Sequence, residues 1–181
     1  MPIRLRIAAS VLGFVLLGCL AAGCSDSSAP RSVLSVVEIN ENQPLSSDVA
    51  EVVDTMYTVR EDAVALIVRN NPHDGVLDLT EEEPYGYVTL DRYEIRFVSS
   101  EAIPPVTGAL GWTVRSGDDT AGSIVIVPAS HKVQPPLLSL RRGGEIQATA
   151  LVTITGHEAT SGYTVKVETS FPVNFANWAD E

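Results

Sequence analysis

The sequence is poor in several residue types that would indicate a particular chemistry. Only two of its 181 residues are cysteines, and no cysteine follows Cys24. The chain beyond Cys24 therefore cannot form an internal disulfide, and it offers no thiol as a nucleophile. Basic residues are also few, 12 Lys and Arg against 23 Asp and Glu, and the formal net charge is −11. This acidity argues against a nucleic-acid partner, which would be bound through Lys and Arg contacts to phosphate.

Motifs of the common enzyme classes are missing as well. The chain has no G-x-S-x-G elbow and no glycine-rich phosphate loop. Its three histidines, His73, His131 and His157, lie far apart beside predicted turns, without a short metal-ligand spacing, and are interpreted as surface side chains. We therefore expect no enzyme. A carboxylate-based hydrolase stays as an alternative, because a sequence does not show which acids approach each other.

The N-terminus has the layout of a secretion signal. Arg4 and Arg6 precede an apolar run over residues 7–18, and small residues follow. The run is shorter than the roughly 20 residues that span a bilayer, and it lacks the polar face of an amphipathic helix. The pattern predicts a helical signal peptide over residues 1–23 and an exported protein.

The residues after the apolar run resemble the lipobox of bacterial lipoproteins, in which an apolar residue and two small residues precede a cysteine. Both LLGC, ending at Cys19, and LAAGC, ending at Cys24, fit this pattern. Cleavage before Cys19 would leave the apolar Leu20 next to the anchor, whereas cleavage before Cys24 exposes the polar segment 25–30. The resemblance implies that Cys24 becomes the mature N-terminus and carries covalent lipid, including a fatty acyl chain such as palmitate.

Lipid on Cys24 would determine the location of the protein. Several acyl chains hold a soluble domain at a membrane, so residues 24–31 are expected to form the lipidated cysteine and a polar tether. Ser25 resembles the residue found after the lipid cysteine in lipoproteins sent to the outer membrane of double-membrane bacteria. We therefore expect a protein anchored to the cell envelope, in the outer membrane if the cell is Gram-negative, with no cofactor besides the lipid.

Beyond the tether, residues 32–181 are predicted to form one domain made of strands. Apolar or alternating segments lie at residues 33–39, 63–70, 85–98, 110–115, 122–127, 146–154 and 163–175. Residues 47–56 are the only helix candidate, interpreted as a loop or as one to two helical turns. About seven strands without a repeat or helical alternation predict an all-β fold, an antiparallel immunoglobulin-like β-sandwich behind the signal helix.

Two details of strand geometry follow from the alternation. Val88 and Leu90 lie on even positions, but Tyr93 and Ile95 lie on odd positions, which predicts a β-bulge near Asp91. The segments 146–154 and 163–175 predict a long hairpin with one apolar and one polar face. Pro172 lacks an N–H, so that position is expected at a sheet edge or a bulge.

A second resemblance rests on the segments AVALIVRNNP, YVTLDRYEIRF and VTITGHEATSGYTVKV. Together, over about residues 57–180, they are similar to a group of exported bacterial lipoproteins of unknown function that carry a single small β-sandwich. The shared motifs are strand patterns, so the resemblance implies a fold and a location and carries over no site residue.

Two groups of residues are candidates for a ligand site. The acidic stretch HDGVLDLTEEEPYG contains Asp74, Asp78 and Glu81, the candidates for calcium, but its spacing is not that of an EF-hand loop. We interpret it as a solvated loop and expect no structural metal. Tyr85, Tyr87 and Trp112 are candidates for a sugar-stacking or partner-binding surface, although core packing is the preferred interpretation of Trp112.

These observations lead to one leading functional hypothesis and two alternatives. The leading hypothesis is a membrane-tethered, non-enzymatic envelope lipoprotein that acts as an interaction or structural module. Its partners would be the membrane, through the lipid anchor, and an envelope protein or polysaccharide. The alternatives are a carbohydrate-binding module at the cell surface and the carboxylate-based hydrolase.

Overall fold

A computed structural model describes residues 30–53, 56–72 and 86–178. The signal peptide prediction, the lipidation of Cys24 and the calcium candidates Asp74, Asp78 and Glu81 lie outside the described residues, as does Tyr85.

Ten strands make up most of the described chain. They are β1 (Ser32–Ile39), β2 (Leu45–Asp48), β3 (Glu51–Val53), β4 (Met56–Thr58), β5 (Asp62–Pro72), β6 (Val88–Ser99), β7 (Val106–Val114), β8 (Asp119–Val127), β9 (Glu145–Glu158) and β10 (Thr164–Ala176). Within the described residues, helical structure is limited to α1 (Ala129–Lys132) and two 3-10 segments, Asn40–Asn42 and Leu137–Arg142. The seven longest strands correspond to the seven predicted segments.

The strands form two main sheets and a separate two-stranded ribbon of β3 and β4. One main sheet has the order β1-β5-β8, and the other has the order β2-β10-β9-β6-β7. The prediction of an all-β fold is therefore confirmed. The expectation of purely antiparallel pairing is wrong in one place, because β2 runs parallel to β10.

The helix alternative for residues 47–56 is also wrong, since β2, β3 and β4 contain most of the described residues of this segment and the others are not helical. Its residues gain their hydrogen bonds from other strands: β2 pairs with the end of β10, and β3 pairs with β4. A segment of weak local pattern takes its conformation from such partners rather than from its own propensity.

Alternation along β9 and β10 determines which side of the five-stranded sheet faces the core. Ile146, Ala148, Ala150, Val152 and Ile154 are buried on β9, and Val165, Val167, Phe171, Val173 and Phe175 are buried on β10. The two strands pair without a break from Thr164 opposite His157 to Ala176 opposite Glu145. This confirms the predicted hairpin with one apolar face. Pro172 lies just before the stretch of β10 that pairs with β2. At Pro172 itself, β10 is paired with β9 on one side and has a free edge on the other in the described structure.

The predicted bulge in β6 is confirmed. The register shifts between Leu90 and Arg92 in the pairing of β6 with both β7 and β9. The extra residue, Asp91, turns Tyr93 and Ile95 toward the core. They are therefore buried on the same side of the sheet as Val88 and Leu90. A bulge also increases the local twist and bends the strand.

Both main sheets contribute to one cluster of buried apolar side chains. At the boundary between β7 and β8, Trp112 packs against this core and lies over Gly122, where a Cβ atom would come within 2.2 Å of its ring. The Tyr93 hydroxyl accepts a hydrogen bond from the backbone N–H of Val125 at 3.3 Å. Trp112 and Tyr93 therefore connect the five-stranded sheet to the edge of the three-stranded sheet.

Candidate binding groove

The polar face of the five-stranded sheet carries an open groove with a volume of about 690 Å³. We call it the outer groove. Its lining includes Arg92, Glu94 and Arg96 of β6, Thr153 and Thr155 of β9, and Lys166 and Glu168 of β10. A second depression of about 510 Å³ adjoins it toward β7 and shares Arg92 and Glu94. The polar surface therefore extends across four adjacent strands.

Strand register arranges these side chains in rows across the sheet. Thr155 lies between Arg92 and Lys166, and one step along the strands Thr153 lies between Glu94 and Glu168. Because neighbouring strands are about 4.8 Å apart, the outer members of each row have backbones about 10 Å apart. Each row therefore presents two like charges on either side of a threonine hydroxyl.

The bulge at Asp91 brings Arg92 into this row. Without the extra residue, the parity of β6 would turn Arg92 toward the core and Tyr93 toward solvent. Gly156, opposite Leu90, allows the close approach of β9 at this point, because a Cβ atom there would lie 2.2 Å from the carbonyl oxygen of Thr89. The sequence feature behind the groove is thus the parity change in β6 together with a glycine in β9.

Ion pairs along the strands neutralise most of the charge in the groove. Arg96 Nε lies 2.6 Å from Glu94 Oε1, and Lys166 Nζ lies 2.5 Å from Glu168 Oε1. The hydrogen bond from Lys166, together with its positive charge, lowers the pKa of Glu168. The Glu168 carboxylate is therefore held ionised, and each of the two carboxylates has a cationic partner on its own strand.

Arg92 differs from the other cations of the groove. Asp91, its neighbour in the chain, is bound to His157 Nδ1 at 2.9 Å, and Glu94 is bound to Arg96. Among the residues that the structure describes, Arg92 has no acidic partner. Its guanidinium thus keeps all five N–H donors available to a ligand.

The two carboxylates are poorly suited to hydrolysis. A glycosidase general acid needs a raised pKa so that it carries a proton at working pH, but the pKa of Glu168 is lowered. Glu94 is likewise bound to an arginine rather than placed in an apolar environment. The geometry is that of a surface that forms hydrogen bonds and ion pairs.

A second polar cluster lies inside the protein, and no pattern in the sequence indicates it. Lys132 Nζ donates to Asp62 Oδ1 at 2.9 Å and to the backbone carbonyl of Asp48 at 2.7 Å. Ser47 Oγ donates to the other oxygen of Asp62 at 2.5 Å. Because Ser47 and Lys132 are buried, this serine, aspartate and lysine serve as a connection between β2, β5 and α1, not as an accessible nucleophile.

A third cluster surrounds the start of β1. The backbone N–H of Ser32 donates to Glu158 Oε1 at 2.7 Å, and Ser161 Oγ donates to Glu158 Oε2 at 2.5 Å. Asn70, fully buried, donates through Nδ2 to the carbonyls of Gly86 and Val114. The Ser32 contact holds the start of β1 to the end of β9, and the Asn70 contacts connect β5 with the residues before β6 and with the end of β7.

The aromatic candidates do not share a surface with the outer groove. Trp112 is half-buried and directed toward Gly122 of the three-stranded sheet. Tyr87 is also half-buried, and the guanidinium carbon of Arg115 lies 5.7 Å from its ring centre. The described part of the chain thus offers no flat face shared by these two rings.

Histidines and metals can be assessed for the described ranges only. There, no group of three or more His, Cys, Asp or Glu side chains is arranged to hold a metal ion. His157 is partly exposed, whereas His131 is half-buried and its burial lowers its pKa. Both described histidines are thus partly accessible, and His73 lies outside the described residues.

Residues 30–178, apart from the undescribed gaps, contain no helix that is long and apolar enough to cross a membrane.

Comparisons with known proteins identify no family. No protein-family model matches the chain, and a search of curated proteins found no relative. Among solved structures, the chain is similar to the solution structure of a protein described as a late embryogenesis abundant (LEA) protein, with 13% sequence identity and a TM-score of 0.44. That alignment covers 94% of this chain and 87% of the other.

Proposed function

We propose that the protein is a membrane-tethered, non-enzymatic lipoprotein of the cell envelope whose domain acts as an interaction module. Lipid on Cys24 would hold it at the membrane, and residues 24–31 would tether the domain. This proposal includes export, with the outer membrane as the destination if the cell is Gram-negative.

The observation that carries the interaction role is the outer groove. It is an accessible surface of paired charges and threonine hydroxyls on a rigid sheet, in which β9 is hydrogen-bonded on both sides. Sites on paired strands hold their side chains more precisely than sites on loops. The lowered pKa of Glu168 and the pairing of Glu94 with Arg96 favour binding over acid–base chemistry.

We also propose an immunoglobulin-like topology for the domain. The strand order supports it: an immunoglobulin-like sandwich places three or four strands in one sheet and the remaining strands, including the last hairpin, in the other. Here β1, β5 and β8 form the smaller sheet, while β10 and β9 lie next to β6 in the larger one. Between β1 and β2 the chain crosses from the smaller sheet to the larger one, where β2 pairs parallel to β10.

Fatty-acid labelling tests the anchor. Cys24→Ser should abolish incorporation of labelled palmitate and release the protein from the membrane fraction, whereas the matched variant Cys19→Ser should keep both. Label retained in Cys24→Ser would overturn the assignment. In a double-membrane cell, recovery only from the inner membrane would contradict the outer-membrane destination.

Photo-cross-linking tests the interaction role. A photoreactive amino acid in place of Thr153, at the centre of the outer groove, should attach the protein to an envelope component in intact cells. The same residue in place of Thr113, an exposed position on β7 that does not line the groove, is the control. Equal cross-linking at both positions would mean that the groove is not the contact surface.

A further inference from the structure

Building on the proposed interaction role, we infer that the outer groove binds a polysaccharide that carries carboxylate groups, with Arg92 as the residue that receives a carboxylate. Three features of the groove support this inference: the guanidinium of Arg92, which has no acidic partner among the described residues, the hydroxyls of Thr153 and Thr155, and the paired backbone of β9.

Charge in the groove is opposite to charge on the protein as a whole. The lining contains Arg92, Arg96 and Lys166 against Glu94 and Glu168, although the chain carries a formal charge of −11. Since Arg96 and Lys166 are neutralised by their own carboxylates, the excess positive charge belongs to Arg92. A guanidinium with free donors matches a carboxylate in a two-pronged geometry.

Hydroxyl groups form the floor of the groove. Within the described ranges, the side chains of Thr153 and Thr155 have no hydrogen-bond partner, yet they line the groove between charged neighbours. A hydroxyl both donates and accepts, so these threonines are matched to the hydroxyls of a sugar chain. Leu151 adds one apolar contact for the C–H face of a ring.

The backbone at the centre of the groove, on β9, favours a polysaccharide over an extended peptide. Peptides that bind sheets usually add a strand at a free edge, where main-chain groups are unpaired. Here β9, which forms the floor, is paired with β6 on one side and with β10 on the other. A ligand that lies along β9 meets side chains alone, and recognition there comes from their charges and hydroxyls.

Binding to polygalacturonate provides the direct test, with the full-length protein purified from cells in detergent. Wild type should bind this polymer saturably and should not bind neutral dextran. Arg92→Gln should weaken binding roughly tenfold or more, as expected for loss of a charge-assisted hydrogen bond. Thr155→Val, which keeps the shape and charge of the groove, should weaken it several-fold.

Arg60→Gln is the matched control, because it removes the same charge from a well-exposed side chain that lies outside the groove and pairs with Glu51. Its affinity for polygalacturonate should stay within about twofold of wild type. No saturable binding, or equal weakening by Arg60→Gln and Arg92→Gln, would overturn the inference. The inference would also be overturned if dextran sulfate bound as tightly as polygalacturonate and Thr155→Val left the affinity for polygalacturonate unchanged. That result would indicate attraction by charge alone.

The same experiments separate this inference from the proposed function. A protein cross-linked at position 153, combined with no binding of polygalacturonate, would leave the interaction module standing with a protein partner and refute the polysaccharide. If Cys24→Ser retained its palmitate label, the assigned membrane tether would be refuted, whatever the groove binds.

Discussion

Lys132 and Lys166 each form an ion pair with a carboxylate, yet their side chains are 2% and 55% exposed. Lys132 binds Asp62, which also accepts from Ser47, and it donates to a backbone carbonyl on β2. Among the described residues, Lys166 binds only Glu168, two residues along the same strand face. The buried pair connects segments distant in the chain, so it helps to define the fold, whereas the exposed pair leaves the outer groove accessible to a ligand.

Neighbouring residues on β10 give the largest expected difference between a buried and an exposed charge. Val167→Asp would place a carboxylate without a partner in the apolar layer, at a cost of roughly 4 kcal/mol or more in the free energy of unfolding. Lys166→Asp changes the outer face next to it and should cost less than about 1 kcal/mol. Urea unfolding of the purified variants, followed by tryptophan fluorescence, measures both. Similar midpoints would contradict the assignment of the two faces.

Removing Lys132 tests the buried pair itself. Lys132→Ala leaves the Asp62 carboxylate without its cation and should lower the free energy of unfolding by about 3–5 kcal/mol. Lys166→Ala removes an exposed pair and serves as the control, with an expected change below about 1 kcal/mol. The same unfolding measurement applies. A change in Lys132→Ala as small as that in the control would show that the buried pair does not connect β2, β5 and α1 energetically.

Asn70 extends the comparison to a buried polar side chain that carries no charge. Its side-chain amide donates hydrogen bonds to the carbonyls of Gly86 and Val114, at 2.7 and 3.3 Å. Asn70→Ala should therefore lower the free energy of unfolding by about 1–3 kcal/mol, between the effects of Lys132→Ala and Lys166→Ala. Asn71→Ala is the matched control, because Asn71 is partly exposed and donates mainly to Ser35 Oγ. Thermal unfolding of both variants decides the order. A larger loss of stability in Asn71→Ala than in Asn70→Ala would contradict the expectation that the buried hydrogen bonds contribute more than the partly exposed one.

Local alternation made the strand segments, the bulge at Asp91 and the faces of the last hairpin predictable, because each is a property of successive residues. The parallel pairing of β2 was not predictable, since residues 47–56 lack a clear period and take their conformation from β10 and from each other. Lys132 carried no signal either: it lies in a short helix, and Asp62, its partner, is 70 residues away. The outer groove was foreseen only as a polar face, because the row of Arg92, Thr155 and Lys166 requires the register of three strands.

Acid titration of the exposed pair gives the smallest expected effect. The hydrogen bond and the charge of Lys166 lower the pKa of Glu168 below its ordinary value of 4.5, so the folded protein binds a proton at Glu168 less readily than the unfolded chain does. The stabilisation from this pair is therefore present above pH 4.5 and is lost as the pH falls through the lower, folded value. Glu168→Gln removes the group that titrates. Its small deficit in the free energy of unfolding should be constant near neutral pH and should disappear in acid.

Lys166→Gln provides the background that isolates this effect. Without the lysine, Glu168 loses the hydrogen bond and the charge that lower its pKa, so adding Glu168→Gln to Lys166→Gln should produce no deficit that depends on pH in the acid range. Moderate salt should also reduce the neutral-pH deficit of the single variant, because both partners are exposed to solvent. Unfolding curves measured across the acid range at two salt concentrations test both expectations. A deficit that grows as the pH falls would mean that folding raises the pKa of Glu168, which contradicts the assigned direction. A pH-dependent deficit that persists in the Lys166→Gln background would mean that groups other than Lys166 hold Glu168 ionised. The exposed pair would then belong to a wider network, and its contrast with the buried pair of Lys132 would be smaller than the contacts indicate.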